Sequence, residues 1–353
     1  MATVTPPSTG LSTRQSLTHP VQQRSPFFYA KKMTCDADDH AVAMFGADQS
    51  CDQMTAGTFS GQVIEMWIED MQIFRASANR AVCQRGHLWK NYRVIGVPIE
   101  MSHTGLLSRQ TIASDSLFTF QSEAGFSLST PKEFDAIAIA VPDFLIDNLM
   151  VEHDLGSFQR FISATPNSLN VLSPDVDKLA ELRGYLVSIL NPCHEKNLLQ
   201  TDRDKQRGVM SLVISHLIET LRTTKPAPMR SRSFKARSHL VNEAIELGLA
   251  NPSEPLSIKT LCIRLKVSER MLHYSFLDIV GMAPRHYLRN RRLNGVRRDL
   301  KNATSRLIKI HETAAHWGFT HLPRFAADYC TLFGELPSSS LKAQPPFHQS
   351  RVF

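Results

Sequence analysis

Ser268, Glu269, Arg270, His273 and Tyr274 fall within one short stretch of the chain. All five side chains form hydrogen bonds, and the arginine adds a permanent positive charge. On a helix, at about 100° per residue, Arg270 and Tyr274 lie opposite Leu272 and Phe276, with His273 at their flank. An arginine fork in this position pairs with a guanine edge or a phosphate, while histidine and tyrosine either reach bases or pack on the sugar-phosphate backbone. A solvated Arg270 is the plainer alternative. A second set is Thr320, His321 and Arg324, near the start of another helical pattern. The outer face of that pattern is Pro323, Ala327 and Cys330, which offers few hydrogen-bonding groups. Phosphate contacts and shape fit are expected there, with most sequence discrimination coming from the first set.

The elements that must position these side chains can be read from spacing. Ile258, Leu261 and Leu265 recur at helical intervals. Val267 reads as a buried turn residue, Cys262 as a small packing residue, and Ser268 as the cap of a second helix. A similar pair spans about 308–334: Ile310 and Ala314-Ala315 precede Trp317-Gly318-Phe319, and Thr320 is the expected cap of a helix carrying Phe325, Tyr329 and Leu332. Pro323 then sits in a first turn, where its missing N–H costs nothing. Between the pairs, Ala283-Pro284-Arg285 opens a helix to about Leu300, long enough to hold the units roughly 25 Å apart. That separation suits two successive major grooves on one side of a duplex. Arg289, Arg291, Arg292, Arg297 and Arg298 give this helix a basic face. At least half of it reads as solvated surface and the rest, Arg291 among them, as phosphate contacts.

Charge is distributed to match. From Arg230 onward there are 20 Lys and Arg against 9 Asp and Glu, a net of +11 in a chain whose total is +7, so the first 229 residues carry −4. A basic module on a mildly acidic body fits a nucleic-acid partner better than a membrane, since no long apolar stretch accompanies the charge. The 353 residues suit two domains, and a hydrophobic fraction of 42% is enough for sizeable cores. The six cysteines lie far apart with no C-x-x-C pair, so they read as reduced thiols. With no apolar leader, this places the chain in the cytoplasm.

The N-terminal part reads as a Ser-, Thr-, Pro- and Gln-rich tail to residue 27, followed by a domain over 28–222. Period-two patterns such as Val63–Ile68, Tyr92–Val97 and Ala136–Val141 predict a β-rich region over about 60–141. Helical spacing follows in Phe144–Val151, in Val176–Leu190 with a cap at Ser173 and proline at the first helical position, and in Gln206–Leu221. The wide apolar stripe of the last helix is expected to pack within its own domain rather than on a second copy. Residues 223–236 read as a flexible linker, 237–342 as the helical module and 343–353 as a tail. The fold expected is an α+β sensor domain, β-rich with flanking helices, ahead of an all-α tandem helix-turn-helix. Trp67, Phe74 and Trp89 are core candidates that alternatively line a pocket. His40, His87, His103 and His153 lack metal-ligand spacing, and no phosphate loop or nucleophile elbow is present, so neither enzyme, metal nor cofactor is expected. A DNA-repair transferase would need a cysteine cluster that is missing. An architectural DNA binder would not need so large an N-terminal domain.

The C-terminal module resembles the DNA-binding domain of the AraC/XylS family of bacterial regulators over about residues 237–342. The matching segments are Val267-Ser268-Glu269-Arg270-Met271-Leu272-His273 with Phe276; Gly281-Met282-Ala283-Pro284; Tyr287-Leu288; Arg291-Arg292-Leu293-Asn294; Trp317-Gly318-Phe319; Phe325-Ala326-Ala327-Asp328-Tyr329; and Leu332 to Pro337. Lys266 departs from the small turn residue usual there, and Pro323 from a common serine. Gly57 to Gly61, Glu65, Asp70 to Arg75 and Ser129-Thr130-Pro131 look like the effector domain of ethanolamine-utilisation regulators. The resemblance implies a sequence-specific regulator, an activator by analogy, that binds double-stranded promoter DNA, engages RNA polymerase and senses a small effector such as an amine. Homodimer formation also stays open, as does control by a protein partner or by dimerisation without any small ligand.

Overall fold

In strands of alternating pattern one face turns inward and the other faces a second layer, and here both faces find partners. The computed structural model describes residues 27–44, 47–88, 90–107, 110–121, 125–153, 170–191, 202–226, 232–303 and 309–342. Its first elements are β1 (Phe27–Thr34), α1 (Ala37–Val42), β2 (Asp48–Gln53), β3 (Gly61–Ile68), β4 (Met71–Ala78), β5 (Val82–His87) and β6 (Tyr92–Glu100). Then come β7 (Gly105–Leu107), β8 (Gln110–Ile112), β9 (Leu117–Gln121), β10 (Phe126–Ser129) and β11 (Phe134–Pro142). After α2 (Asp143–Glu152) follow β12 (Asn170–Ser173), α3 (Val176–Leu190), α4 (Arg203–Arg222) and β13 (Lys225–Pro226).

The strands form an 8-stranded sheet ordered β1-β3-β4-β11-β6-β9-β12-β13 and a 5-stranded sheet ordered β2-β5-β10-β7-β8. Odd-numbered residues of β11, such as Ile137 and Ile139, face one way and pack with Leu182, Leu186, Leu217 and Leu221 of α3 and α4. Even-numbered neighbours, Ala136, Ala138 and Ala140, face the second sheet together with Val63, Phe118 and Leu128. The layers are therefore helices, large sheet, small sheet, and Val213, Leu217, Ile218 and Leu221 of the α4 stripe are buried within their own domain as expected, while Leu212 at its edge is exposed. Strands β1 and β2 lie ahead of the predicted β region. Two details of the expected caps and linker differ. Asp175, not Ser173, caps α3, its carboxylate accepting from the N–H groups of Asp177 and Lys178, so Pro174 precedes the helix. Lys225–Pro226 pair with Leu172 and Ser173, and a helix already begins at Arg232, because Phe234 has a core to enter. The tails, Trp89 and residues 227–231 lie outside the described residues.

The remainder is helical: α5 (Arg232–Leu249), α6 (Ile258–Leu265), α7 (Glu269–Val280), α8 (Pro284–Lys301), α9 (Ile310–His316), α10 (Leu322–Phe333) and α11 (Pro337–Lys342). Leu261, Leu272 and Phe276 form one core with Tyr287 and Leu288 from the first half of α8. Ala314, Phe325 and Tyr329 form another with Leu293, Val296 and Leu300 from its second half. Gly295 lets Trp317 lie directly on α8, since a Cβ there would stand 2.2 Å from the indole ring.

Candidate DNA-binding interface and the domain contact behind it

Ser268 caps α7 by accepting from the Met271 N–H at 3.1 Å. Leu272 and Phe276 are fully buried, and the opposite side of the helix is open to solvent. Glu269, Arg270, His273 and Tyr274 are all exposed and line one hollow of about 490 Å³ with Ala283, Pro284 and Arg285. Arg285, at the start of α8, was missed in the sequence, where the basic face of that helix was drawn through Arg289, Arg291, Arg292, Arg297 and Arg298. The guanidinium of Arg237 lies 5.9 Å from the Tyr274 ring and also bonds Asp278 at 2.8 Å, so Tyr274 is partly covered. Between α6 and α7, Lys266 holds a left-handed backbone with φ 54°, the conformation for which a small residue is usual. Val267 is half-buried rather than buried.

On α10, the cap is His321 rather than Thr320: its Nδ1 accepts from the Arg324 N–H at 3.1 Å. Thr320 is exposed one position earlier, and Pro323 occupies the first turn as expected. His321, Arg324, Ala327 and Cys330 share the exposed side. Arg324 approaches Asp328 at 3.8 Å, and Asp328 also takes Arg289 at 3.0 Å.

Much of the basic face of α8 is turned toward the N-terminal domain rather than toward solvent. Arg291, only 14% exposed, pairs with Asp52 at 2.8 Å. Arg298 pairs with the same carboxylate at 2.7 Å and with Asp38 at 2.9 Å. Arg297 bonds Glu335 at 2.7 Å and faces Asp36 at 3.5 Å, while Lys301 bonds Asp36 and reaches Asp39 at 3.0 Å. Arg292 turns to the other side, with its guanidinium 5.1 Å from the Phe319 ring. Arg291 is thus corrected from a DNA contact to an interdomain ion pair. The cause is the four carboxylates on α1, its cap and β2, which helical spacing in α8 alone does not reveal. Burial opposes charge on Arg298, but Asp38 and Asp52 outweigh it and hold its pKa above the ordinary value. Burial likewise opposes ionisation of Asp36, yet the Asp39 N–H, Lys301 and Arg297 keep its carboxyl below the usual range.

Neutral bonds complete the contact. The Asn294 side chain accepts from Gln53 N–H at 2.8 Å and donates to Gln53 C=O at 2.9 Å, continuing the edge of β2 as a neighbouring strand would. Asn290 donates to Met54 C=O at 2.9 Å. The Gly57 N–H meets Thr331 and Leu332 carbonyls at 3.2 and 3.1 Å, so the Gly57 to Gly61 segment docks on α10.

Inside the N-terminal domain, a cavity of about 80 Å³ lies between the sheets. Small side chains on the central strands make the space: Ala76 and Ala78 on β4 and Ala136 and Ala138 on β11 face Phe118, Phe120 and Phe126. Gly96 contributes too, since Phe118 occupies the place its Cβ would take. Phe74 lines the cavity, whereas Trp67 is packed in the surrounding core. His40 lines it as well, with Nδ1 3.0 Å from the Thr34 hydroxyl; burial lowers its pKa to about 4, so the imidazole is neutral. His87, His103 and His153 do not join it, and among the described residues no cluster of His, Cys, Asp and Glu suits a metal.

Two helix pairs at the ends of one connecting helix, each presenting an exposed second helix, define a tandem helix-turn-helix DNA-binding regulator. A family model described as a helix-turn-helix domain matches residues 261–343. The XylDLEGF operon transcriptional activator 2 of Pseudomonas putida is 32% identical over 136 residues, covering 37% of this chain and 87% of that protein. A longer XylDLEGF operon transcriptional activator of the same species is 29% identical over 164 residues, 46% of this chain and 50% of that one, so the match spans half of its length. Among solved structures, an AraC-type DNA-binding domain protein from Chromobacterium violaceum is 29% identical, covering 32% of this chain and 99% of that chain with a TM-score of 0.29. The chain belongs to the AraC/XylS family of bacterial transcription regulators. No helix among the described residues is long and apolar enough to cross a membrane.

Proposed function

We propose that this chain is a sequence-specific activator in which α7 reads bases, α10 anchors phosphates, and the domain over residues 28–222 responds to a small effector. The observation that carries this is the exposed row Arg270, His273 and Tyr274, set on a capped helix whose other side is fully buried. Ser268 and Glu269 start that helix, and Thr320, His321 and Arg324 sit correspondingly at the second. Arg285 joins the first set as a phosphate contact. Recruitment of RNA polymerase and homodimer formation belong to the same proposal. The cavity beside His40 supports a ligand-responsive domain, because a packed interior rarely retains apolar space without use. Among the described residues its lining includes no carboxylate to pair an ammonium group, which weighs against the ethanolamine-type effector suggested by the Gly57 to Gly61 segment.

The test is selection from a genomic fragment pool of the source organism, with sequencing of the bound DNA. Enrichment of a bipartite site, with half-sites about one helical turn apart, is the expected result. Salt-sensitive binding without enrichment would reduce the chain to a basic DNA-binding module.

A further inference from the structure

The cavity between the sheets has a chemistry that narrows what enters it. Its lining combines phenylalanines and alanines with a few neutral polar groups, Gln49, Ser77, Gln84 and Thr130, and among the described residues contains no Lys, Arg, Asp or Glu. A charged ligand would leave water and gain no partner of opposite sign there, a cost of several kcal/mol that binding would have to overcome. Its volume of about 80 Å³ lies below the roughly 150 Å³ of apolar cavities that admit benzene. The occupant is therefore compact. His40 is 3% exposed, and its Nδ1 is engaged with Thr34, which leaves Nε2 as its remaining polar atom.

We propose that this cavity binds a small uncharged alcohol or carbonyl compound, a short chain smaller than a benzene ring, with its hydrocarbon part against Phe118, Phe120 and Ala138 and its oxygen bonded to His40. This rests on the reading of the N-terminal domain as an effector domain. A neutral imidazole at Nε2 donates to a carbonyl or accepts from a hydroxyl, according to its tautomer. The location gives occupancy a route outward. His40 is on α1, whose Asp38 and Asp39, with the capping Asp36, hold Arg298, Lys301 and Arg297 of α8. Gln49 lines the same cavity from β2, whose Asp52 and Gln53 grip α8. A ligand that shifts α1 or β2 thereby shifts the helix that spaces the two DNA-reading units.

The experiment is isothermal titration of the full chain at pH 7.5 with 1-propanol, acetone and 2-butanone, beside propionate, propylammonium and ethanolamine. Saturable one-to-one binding of a neutral probe, at least tenfold tighter than any charged probe, is the expected result. Ala138→Leu, which fills the space, should abolish it, and the milder His40→Gln should weaken 1-propanol while leaving binding of dichloromethane, an apolar probe of similar size, unchanged. Circular dichroism and DNA binding of both variants establish that they fold. Tighter binding of a charged probe, or no saturable binding by any neutral one, overturns the proposed ligand class. The effector reading itself is tested apart from this, by adding the low-molecular-weight fraction of a cell extract to operator-binding assays. No change in operator affinity there overturns both; a change without neutral-probe binding overturns the ligand class alone.

Discussion

Arg270 is exposed near the start of a helix whose buried side is fixed by Leu272 and Phe276, so its guanidinium can approach a base edge without rearranging the core. We expect Arg270→Ala to relax preference at one base pair at a cost of about 1 to 3 kcal/mol, and Arg324→Ala to weaken all sites alike. Binding-site selection with each variant measures this, and equal loss of sequence preference in both would contradict the division of labour. Lys266 tests backbone conformation instead. A side chain in the left-handed region costs about 1 kcal/mol, and the φ of 54° puts Lys266 there. Lys266→Gly should therefore raise unfolding stability by about 0.5 to 1 kcal/mol, less than the full strain because glycine also loosens the unfolded chain. Denaturant titration is the check.

At the scale of elements, α1 is short but has two occupied sides, His40 toward the cavity and acidic residues toward α8. The folded His40 takes a proton only near pH 4, whereas an unfolded histidine does so near its ordinary value of 6.5. The lowered group contributes its stability fully above pH 6.5, and that contribution is lost as pH falls from 6.5 to 4, by up to about 3 kcal/mol. Unfolding free energies measured across this window should decline in the native sequence and stay flatter in His40→Gln. Asp36, also held below its ordinary value, adds a loss at still lower pH that both proteins share.

At the scale of the whole molecule, the N-terminal domain touches α8 along its length and reaches α10 through Gly57, so the placement of the two units is set by more than the helix between them. Because Arg291, Arg297, Arg298 and Lys301 of α8 are already paired with carboxylates, these four should add nothing to the salt dependence of DNA binding. Arg298→Gln should lower stability by about 1 to 3 kcal/mol, leaving Asp38 without its guanidinium partner, and leave the slope of log K against log salt unchanged. A slope shallower by about 0.9 would instead place Arg298 on a phosphate.

The tandem helical architecture was legible in the sequence because its determinants are local: a cap at Ser268, apolar residues three and four apart, glycines where the chain turns left-handed. The same periodicity marked Arg270, His273 and Tyr274 as outward, and a period of two marked Ala136–Val141 as strand. Composition also told the basic end from the acidic body. Tertiary structure alone decided where the α8 arginines point, since Asp36, Asp38, Asp39 and Asp52 are more than 200 positions away in sequence and no spacing rule connects them. It decided the cavity for the same reason: four alanines on two strands are unremarkable along the chain and become a space only when the sheets bring them opposite phenylalanines. Local order is encoded by neighbours, whereas charge pairing and voids depend on which distant surfaces meet.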